Sequence, residues 1–422
     1  MNTNVSSKSD LFFPPAENNW ADKLFIAGLV IYAFCSSFSI AASQIGLGLA
    51  LIAFITLYRT NKVDIKVTSF DSPYAFLALA GILAVFRAEQ PMLAITGLKT
   101  FLIVLCFYLA YWPGLKKGLQ EVLLQIFFVS SALIAALTCR NLLQDLIEGL
   151  HAKGFFSMCI TFGECQALAA VTLVFYLVSR PHGLRKKLML SAALFMIVVA
   201  VILSFTRGAW LGFATGLIVL TTGFPRKMLP VILIVCILVP SMVYFSPYLK
   251  ERISGLNVTK IIETADKSFE QKFESVAVMS GFQRLYIWLR GFTMLRENMS
   301  FGVGAKNIKY HYNLLATEYE HQNSLIWGHQ HNNFMQMLVK FGFIGLIAFF
   351  YFIISIFKFI LKNGRIITCG IGKAHIGAIA VFGCFLVFGL TENAWGDEEV
   401  SMMAFFLTGL LMSSSGETIA QN

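Results

Sequence analysis

Twelve long apolar segments recur along the chain, each bounded by charged residues or by clusters of proline and glycine. An α-helix needs about 20 mostly apolar residues to cross the hydrocarbon layer of a bilayer, so such runs predict transmembrane helices. The segments are 23–38, 40–58, 73–86, 98–112, 122–138, 164–178, 188–204, 208–223, 228–245, 334–360, 375–390 and 400–412. We therefore predict an all-α, polytopic membrane protein with about twelve transmembrane helices.

The composition excludes the other classes that a chain of this length could represent. Only 13% of the 422 residues are charged, whereas a soluble protein carries roughly 25%. The low proline content and the unphased glycines argue against disordered and collagen-like chains, and the apolar blocks lack the heptads of a coiled coil. A transmembrane β-barrel would instead show short alternating segments.

Basic residues in the short loops orient the predicted helices, because cytoplasmic loops are enriched in lysine and arginine. A cytoplasmic N-terminus places seventeen basic residues on that side and only five in the short loops and span ends opposite. We therefore expect both termini in the cytoplasm, nine helices in residues 1–245, a large external loop over 246–333, and three helices with a short tail over 334–422. The net charge of +10 is mostly this orientation signal, so we expect no nucleic-acid partner.

The external loop contains a predicted amphipathic helix over residues 281–298. Apolar side chains recur there at helical spacing, namely Leu285, Trp288, Leu289, Phe292 and Leu295. Arginines occupy other positions, namely Arg284, Arg290 and Arg296. We expect this helix to lie near the membrane interface. A second short helix is predicted over residues 253–278.

Arg207, Arg284 and His331 are the main candidate functional residues at the external face. Arg207 lies at the turn between the seventh and eighth predicted helices, with no acidic residue within five positions. An arginine at that depth requires an anionic partner. His331 leads directly into the tenth helix, and Arg284 belongs to the amphipathic helix. Two arginines and a histidine from separate parts of the chain can therefore converge at one membrane face.

Each of these residues also has a simpler interpretation. Arg207 could extend to the phosphates of lipid headgroups, and Arg284 could only form the polar face of its helix. His331 could be an interface histidine, with Asn332 or Asn333 as the N-cap of the tenth helix. His329 and His331 alternate along the chain, but no carboxylate accompanies them at a recognised zinc spacing, so we expect no metal site.

Three motifs contain the candidate residues of the external face. The first is Ser204-Phe-Thr-Arg207-Gly-Ala-Trp210. The second combines Arg284-Leu-Tyr-Ile-Trp288 with Gly291 and Gly302-Val-Gly304, and the third is His331-Asn-Asn-Phe-Met-Gln-Met-Leu-Val-Lys-Phe-Gly342-Phe-Ile-Gly345-Leu. Together they resemble the O-antigen ligase/polymerase superfamily, and they occur in the family's order and on the predicted external side. The turn at Glu392 lies where the family tends to keep a polar or acidic residue, and the length is similar to that of the lipopolysaccharide ligases.

The resemblance implies a GT-C-like glycosyltransferase of the bacterial inner membrane with a periplasmic site and no cofactor. The donor would be O-antigen on undecaprenyl pyrophosphate, and the acceptor a sugar hydroxyl of lipid A-core oligosaccharide. Arg207 and Arg284 would hold the pyrophosphate. His331 would be the general base, because an ordinary imidazole pKa of about 6.5 suits proton transfer near neutral pH. In-line attack would invert the anomeric carbon without a metal. Further candidates for substrate binding are Asn332, His329, Arg290 and Glu392.

Several alternatives share part of this pattern. An O-antigen polymerase and a protein O-oligosaccharyltransferase would use the same donor chemistry with a different acceptor. A transporter or flippase would need ionisable residues along a path through the membrane and pseudo-symmetric halves. The predicted span interiors are nearly free of charge and no internal repeat is visible. We therefore favour the ligase. Besides its donor and acceptor, we expect it to contact membrane lipids.

Overall fold

The computed structural model describes residues 20–65, 67–112, 115, 117–140, 151–245, 279–296, 298–322, 325–366 and 373–413. Within these ranges the regular elements are all helical. They are α1 (Trp20–Cys35), α2 (Ile40–Arg59), α3 (Asp71–Val85), α4 (Pro91–Gly97), a 3₁₀ segment (Leu98–Val104), α5 (Leu105–Tyr111), α6 (Lys117–Thr138), α7 (Cys159–Ser179), α8 (Leu184–Leu203), α9 (Arg207–Gly223), α10 (Pro225–Phe245), α11 (Met279–Leu295), α12 (Ile308–Leu315), α13 (Glu318–Gln322), α14 (Asn333–Ile366), α15 (Ala374–Thr391) and α16 (Glu398–Met412).

Each of the twelve predicted spans lies on one or more of these helices. Among the described residues, seven helical stretches are both long and apolar enough to cross a membrane. They are Ile40–Arg59, Pro91–Tyr111, Lys117–Thr138, Cys159–Ser179, Leu184–Leu203, Asn333–Asn363 and Ala374–Thr391. The chain is therefore an all-helical integral membrane protein. The count of about twelve crossings and the placement of the termini stay predictions.

The fourth span begins at Pro91, well before the predicted start at residue 98. Proline is suited to the first turn of a helix, where its missing N–H needs no partner. The middle of this stretch is the 3₁₀ segment Leu98–Val104. The hydroxyl of Tyr74 on α3 donates a hydrogen bond to the carbonyl oxygen of Phe101 inside the segment. This bond satisfies a backbone oxygen within a stretch where ordinary α-helical pairing is interrupted.

Helices α9 and α15 pack closely because α9 presents glycines to its neighbour. A Cβ atom on Gly212 would lie 2.1 Å from the ring of Phe388, and one on Gly208 would lie 2.4 Å from the hydroxyl of Thr391. Small residues four positions apart allow this approach between membrane helices. The packing brings Arg207, the first residue of α9, beside the chain that follows α15.

The long helix α14 is interrupted at Gly342, where φ is 66° and ψ is −167°. Such a break leaves backbone groups without their usual helical partners. The N–H of Val303 donates to the carbonyl of Val339, and the N–H of Gly304 donates to that of Lys340, both at 2.9 Å. The glycine-rich turn before α12 therefore replaces hydrogen bonds that the helix has lost.

Glycine is required on both sides of this contact. The backbone angles of Gly342 belong to a region that is almost exclusive to glycine, and a Cβ there would lie 2.3 Å from the backbone of Ser300. Gly302 also has a positive φ, 69°, and a Cβ there would lie 2.5 Å from the carbonyl oxygen of Val339. The two glycine motifs identified in the sequence thus meet in space.

The predicted amphipathic helix is present as α11, Met279–Leu295. Its buried residues Ile287, Met294 and Leu295 face the protein, and the last two pack in a cluster with the start of α14. Leu285, Leu289 and Phe292 are about half exposed and form an apolar stripe on the other side. A stripe of this kind is suited to the membrane interface. The second predicted helix, residues 253–278, lies outside the described residues.

We expect Gly342→Ala to lower the free energy of unfolding by about 2 kcal/mol or more, because alanine cannot adopt this backbone conformation without strain. The measurement is the apparent Tm of the purified chain in detergent. Gly383→Ala on α15 is the matched control, since a Cβ there meets nothing within 4 Å. Equal melting of the two variants would show that α14 does not depend on the break.

Candidate active site

A cavity of about 210 Å³ lies at one end of the helical bundle. Its walls come from well-separated parts of the chain: His151, Cys159, Ile160, Phe205, Thr206, Arg207, Gly208, Gln283, Arg284, His331 and Glu392. The structure therefore brings together Arg207, Arg284 and His331, which the sequence indicated as a set that can converge. Glu392, which the sequence analysis named as a further candidate, lines the same cavity.

The carboxylate of Glu392 joins Arg284 to His331. Nη2 of Arg284 donates to Oε1 at 2.6 Å, and Nδ1 of His331 lies 2.7 Å from Oε2. The carboxylate side chain is only 11% exposed, so both bonds form in a sheltered environment. A carboxylate that is paired with a guanidinium only accepts hydrogen bonds. The hydrogen of the neutral His331 imidazole therefore lies on Nδ1, which faces Glu392. The Nε2 atom of His331 is then the one able to accept a proton.

Asn332 holds the start of α14 against the end of α15. Its Oδ1 accepts hydrogen bonds from the backbone N–H groups of Phe334 and Met335, at 2.9 and 3.0 Å. Its Nδ2 donates to the carbonyl of Leu390 at 2.9 Å. Asn332 is thus the N-cap, one of the two residues that the sequence offered for this role. The same bonds fix the distance between the segments that carry His331 and Glu392.

Two residues that line the cavity have unusual backbone conformations. His331 has a φ of 46° and Phe205 has a φ of 51°. Both values lie in the left-handed region, which costs free energy for a residue with a side chain and is often found at functional sites. Phe205 precedes Thr206 and Arg207 directly. The surrounding packing therefore holds both flanks of the cavity in conformations that an isolated chain would disfavour.

The electrostatics of the cavity favour an anion. Helix α9 begins at Arg207, and α14 begins two residues after His331. The first turn of a helix carries partial positive charge and N–H groups without intrahelical partners. Together with the guanidinium groups of Arg207 and Arg284, these helix ends create a positive potential at the cavity, and Glu392 contributes a carboxylate to its described lining.

His329 lies against the ring of His331 but does not line the cavity. The ring centroids are 4.2 Å apart. Burial, reinforced by the positive charge that His331 can carry, lowers the pKa of His329 to about 4. His329 is therefore neutral near pH 7 and supports the position of the neighbouring ring.

Arg290 is not brought to the cavity. Its Nη2 donates to Oε2 of Glu320, and its Nε donates to the hydroxyl of Tyr286, both at 2.8 Å. Burial alone would raise the pKa of Glu320, but hydrogen bonds from Thr317 and Tyr286 and the charge of Arg290 outweigh it and lower this pKa. Arg290 thus connects α11 to α13, and its role in substrate binding stays a prediction.

Several residues near the cavity carry little signal in the sequence. Gln283, His151 and Cys159 line it, and the Sγ atom of Cys159 lies 3.5 Å from Nδ1 of His151. Glu164, placed at the start of the sixth predicted span, instead lies inside α7 and is 1% exposed. Both of its carboxyl oxygens are buried without a hydrogen-bond partner in the described part of the chain. In the sequence, Glu164 is notable only as a lone acidic residue within an apolar segment.

We expect acidification to destabilise the protein through His329. An unfolded histidine binds a proton near pH 6.5, whereas folded His329 does so only near pH 4. Between these values the unfolded state holds more protons, so stability decreases as the pH falls from about 6.5 to about 4. Melting curves across this range test it. His329→Gln should flatten the pH dependence, whereas His321→Gln, an exposed control, should leave it as in the native chain. Identical curves for all three proteins would contradict the assignment.

Part of the chain matches a known protein family. The family model described as O-antigen ligase matches residues 167–350, which is less than half of the chain. The match includes Arg207, Arg284 and His331 and ends before Glu392. A search of curated proteins found no match. The resemblance of the motifs is nevertheless confirmed by the family model, because residues 167–350 match the O-antigen ligase family.

Proposed function

We propose that this chain is an O-antigen ligase. It would transfer O-antigen polysaccharide from undecaprenyl pyrophosphate to a sugar hydroxyl of lipid A-core oligosaccharide. The observation that carries this proposal is the shared cavity of Arg207, Arg284 and His331, in which Glu392 links the last two. The family match over residues 167–350 supports the same class of reaction.

The position of the cavity suits two lipid-anchored substrates. Both donor and acceptor are held in a membrane, so their reacting groups meet near its surface. Residues at helix ends line the cavity: Arg207 begins α9, and Glu392 follows α15. The exposed stripe of Leu285, Leu289 and Phe292 on α11 would rest on the lipid beside it. We place this end of the bundle at the periplasmic face of the inner membrane, with both termini in the cytoplasm.

The reaction is a single displacement at the anomeric carbon of the donor. Nε2 of His331 takes the proton from the acceptor hydroxyl, and the hydroxyl oxygen forms a bond to the anomeric carbon. The bond from that carbon to the pyrophosphate oxygen breaks, and its electron pair leaves with undecaprenyl pyrophosphate. Attack from the face opposite the leaving group inverts the anomeric configuration.

The arginines act on the leaving group. Guanidinium groups match phosphate oxygens in geometry and form charge-assisted hydrogen bonds with them. Negative charge increases on the pyrophosphate as the glycosidic bond breaks, so Arg207 and Arg284 stabilise the transition state more than the ground state. The first turn of α9 adds N–H groups to the same site. These contacts supply the stabilisation of charge that the transfer needs.

Glu392 is a positioning residue in this mechanism. Its bond to Nδ1 keeps the proton on that atom, so Nε2 faces the acceptor as the base. Its negative charge also stabilises the imidazolium that forms when the proton is taken. The second bond, to Arg284, couples the orientation of the base to that of the phosphate-binding arginine.

We expect His331→Ala to lower the rate of transfer by about 10²- to 10⁴-fold, the usual contribution of a general base. The assay contains the full chain in detergent, undecaprenyl-pyrophosphate-linked O-antigen and lipid A-core, and follows the mass of the acceptor on gels. His321→Ala is the matched control, since His321 is exposed.

Arg284→Ala should also lose activity in this assay. Arg296→Ala should keep it, because Arg296 is exposed near the end of α11.

Two results would overturn this proposal. Full activity of His331→Ala at equal protein level would remove His331 as the base. Longer lipid-linked glycan from donor alone, with lipid A-core left unmodified, would identify a polymerase instead. Cells that lack their own ligase give the same test through the return or absence of O-antigen ladders.

We expect Glu392→Gln to lower kcat by about 10²-fold or more with a smaller change in KM, because the base loses its orientation and its stabilising charge. Glu392→Asp should recover part of kcat, because a carboxylate is again present beside the imidazole. A purely structural role would predict loss of folded protein and an unchanged kcat in the fraction that remains.

A further inference from the structure

A second, larger cavity of about 740 Å³ lies at the other end of the bundle. Helix α7 connects the two sites: Cys159 at its start lines the candidate active site, and Val178 near its end lines this cavity. The 21 residues of α7 span about 30 Å at the helical rise of 1.5 Å per residue. The two cavities are therefore separated by roughly the thickness of a bilayer core.

The walls of this cavity form an apolar groove between helices. Val174 and Leu177 of α7, Leu194 of α8, Phe213 of α9 and Val231 of α10 all contribute to it. Phe195 and Ile234, on its two sides, are exposed by 50% and 59%. Large exposed apolar side chains at the edges of a groove in a membrane protein indicate that it opens sideways to lipid.

One end of the groove is basic. Arg180, His182, Lys187 and Lys227 line it, and no acidic residue is among the described residues of its lining. Nζ of Lys227 donates to the carbonyl of Val178 at 2.8 Å, which fixes one of these charges at the groove. The mouth therefore combines several positive groups with a long apolar wall.

Arg180 is only partly satisfied by the protein. Its Nη1 pairs with the carboxylate of Glu121 on α6, which lies outside the groove lining. Its Nε and Nη2 are buried without a hydrogen-bond partner among the residues that the structure describes. The guanidinium also lies 4.9 Å from the centroid of the Tyr176 ring, and its charge adds to the attraction of the basic mouth for an anion.

We propose that this groove binds an anionic phospholipid of the leaflet opposite the candidate active site. The acyl chains lie along the walls of α7 to α10, and the headgroup phosphate lies at Lys187 and Lys227, beside Arg180. A net negative headgroup fits this mouth better than a zwitterionic one, because the described lining offers no acidic group for a choline or ethanolamine. An isoprenoid tail that reaches down from the other site carries no charge at this end and would leave the basic residues unused.

Native mass spectrometry of the full chain in detergent tests this assignment with two probes, phosphatidylglycerol and phosphatidylcholine of identical acyl chains. We expect preferential retention of phosphatidylglycerol. The double variant Lys187→Ala/Lys227→Ala should weaken that retention roughly tenfold or more. Arg185→Ala/Arg226→Ala is the matched control, because both arginines are exposed at the same helix ends and do not line the groove.

Ser191→Trp provides a test without any change of charge. Ser191 lines the groove, and a bulky ring there should displace bound phospholipid while size-exclusion chromatography shows the native elution volume.

Equal retention of both lipids by the native chain would overturn the proposal, as would wild-type binding by the lysine double variant. Displacement of phosphatidylglycerol by undecaprenyl phosphate would overturn it in favour of an isoprenoid site. None of these measurements uses a glycan substrate, so their outcome is independent of the proposed transferase activity.

Discussion

The carboxylate of Glu392 holds the candidate active site together, because it bonds to a guanidinium and an imidazole at the same time. Arg284 comes from a short helix beside the bundle, His331 precedes α14, and Glu392 follows α15. Without the carboxylate, two groups that can both be positive would face each other in a sheltered cavity. With it, one side chain orients the base and the phosphate-binding arginine together, and the geometry of each depends on the other.

Several glycines allow the close packing and the backbone conformations around this site. Gly208 and Gly212 let α9 approach α15, which brings Arg207 to the cavity. Gly342 breaks α14, and the turn at Gly302 supplies backbone hydrogen bonds across the break. The first part of α14, which follows His331, is thus separated from the rest of the helix by the break at Gly342. Motifs that look catalytic in the sequence thus divide into residues that line the cavity and residues that shape the backbone around it.

The two ends of the molecule differ in the kind of anion that they favour. At the candidate active site, positive groups surround a small polar cavity with a histidine and a carboxylate, which is an arrangement for chemistry. At the opposite end, the basic groups lie at the mouth of an apolar groove, and no acidic residue faces them in the described lining. That arrangement suits binding of an amphiphile. Helix α7 contributes residues to both sites.

The helical class, the position of every predicted span on a helix and the amphipathic helix α11 can all be predicted from the amino-acid sequence, because apolar periodicity and run length are local properties of the chain. The motifs also indicate Arg207, Arg284 and His331. The contacts of these residues depend on the packing of distant segments and are visible only in the folded structure. Glu392 lies 61 residues from His331 and 108 from Arg284, and no spacing rule connects them. Arg290 is an arginine on α11, as Arg284 is, yet its side chain pairs with Glu320 and does not line the cavity. The break at Gly342 could not be predicted from the sequence either. It is stabilised by backbone hydrogen bonds from the turn at Gly302, which replace those that α14 loses.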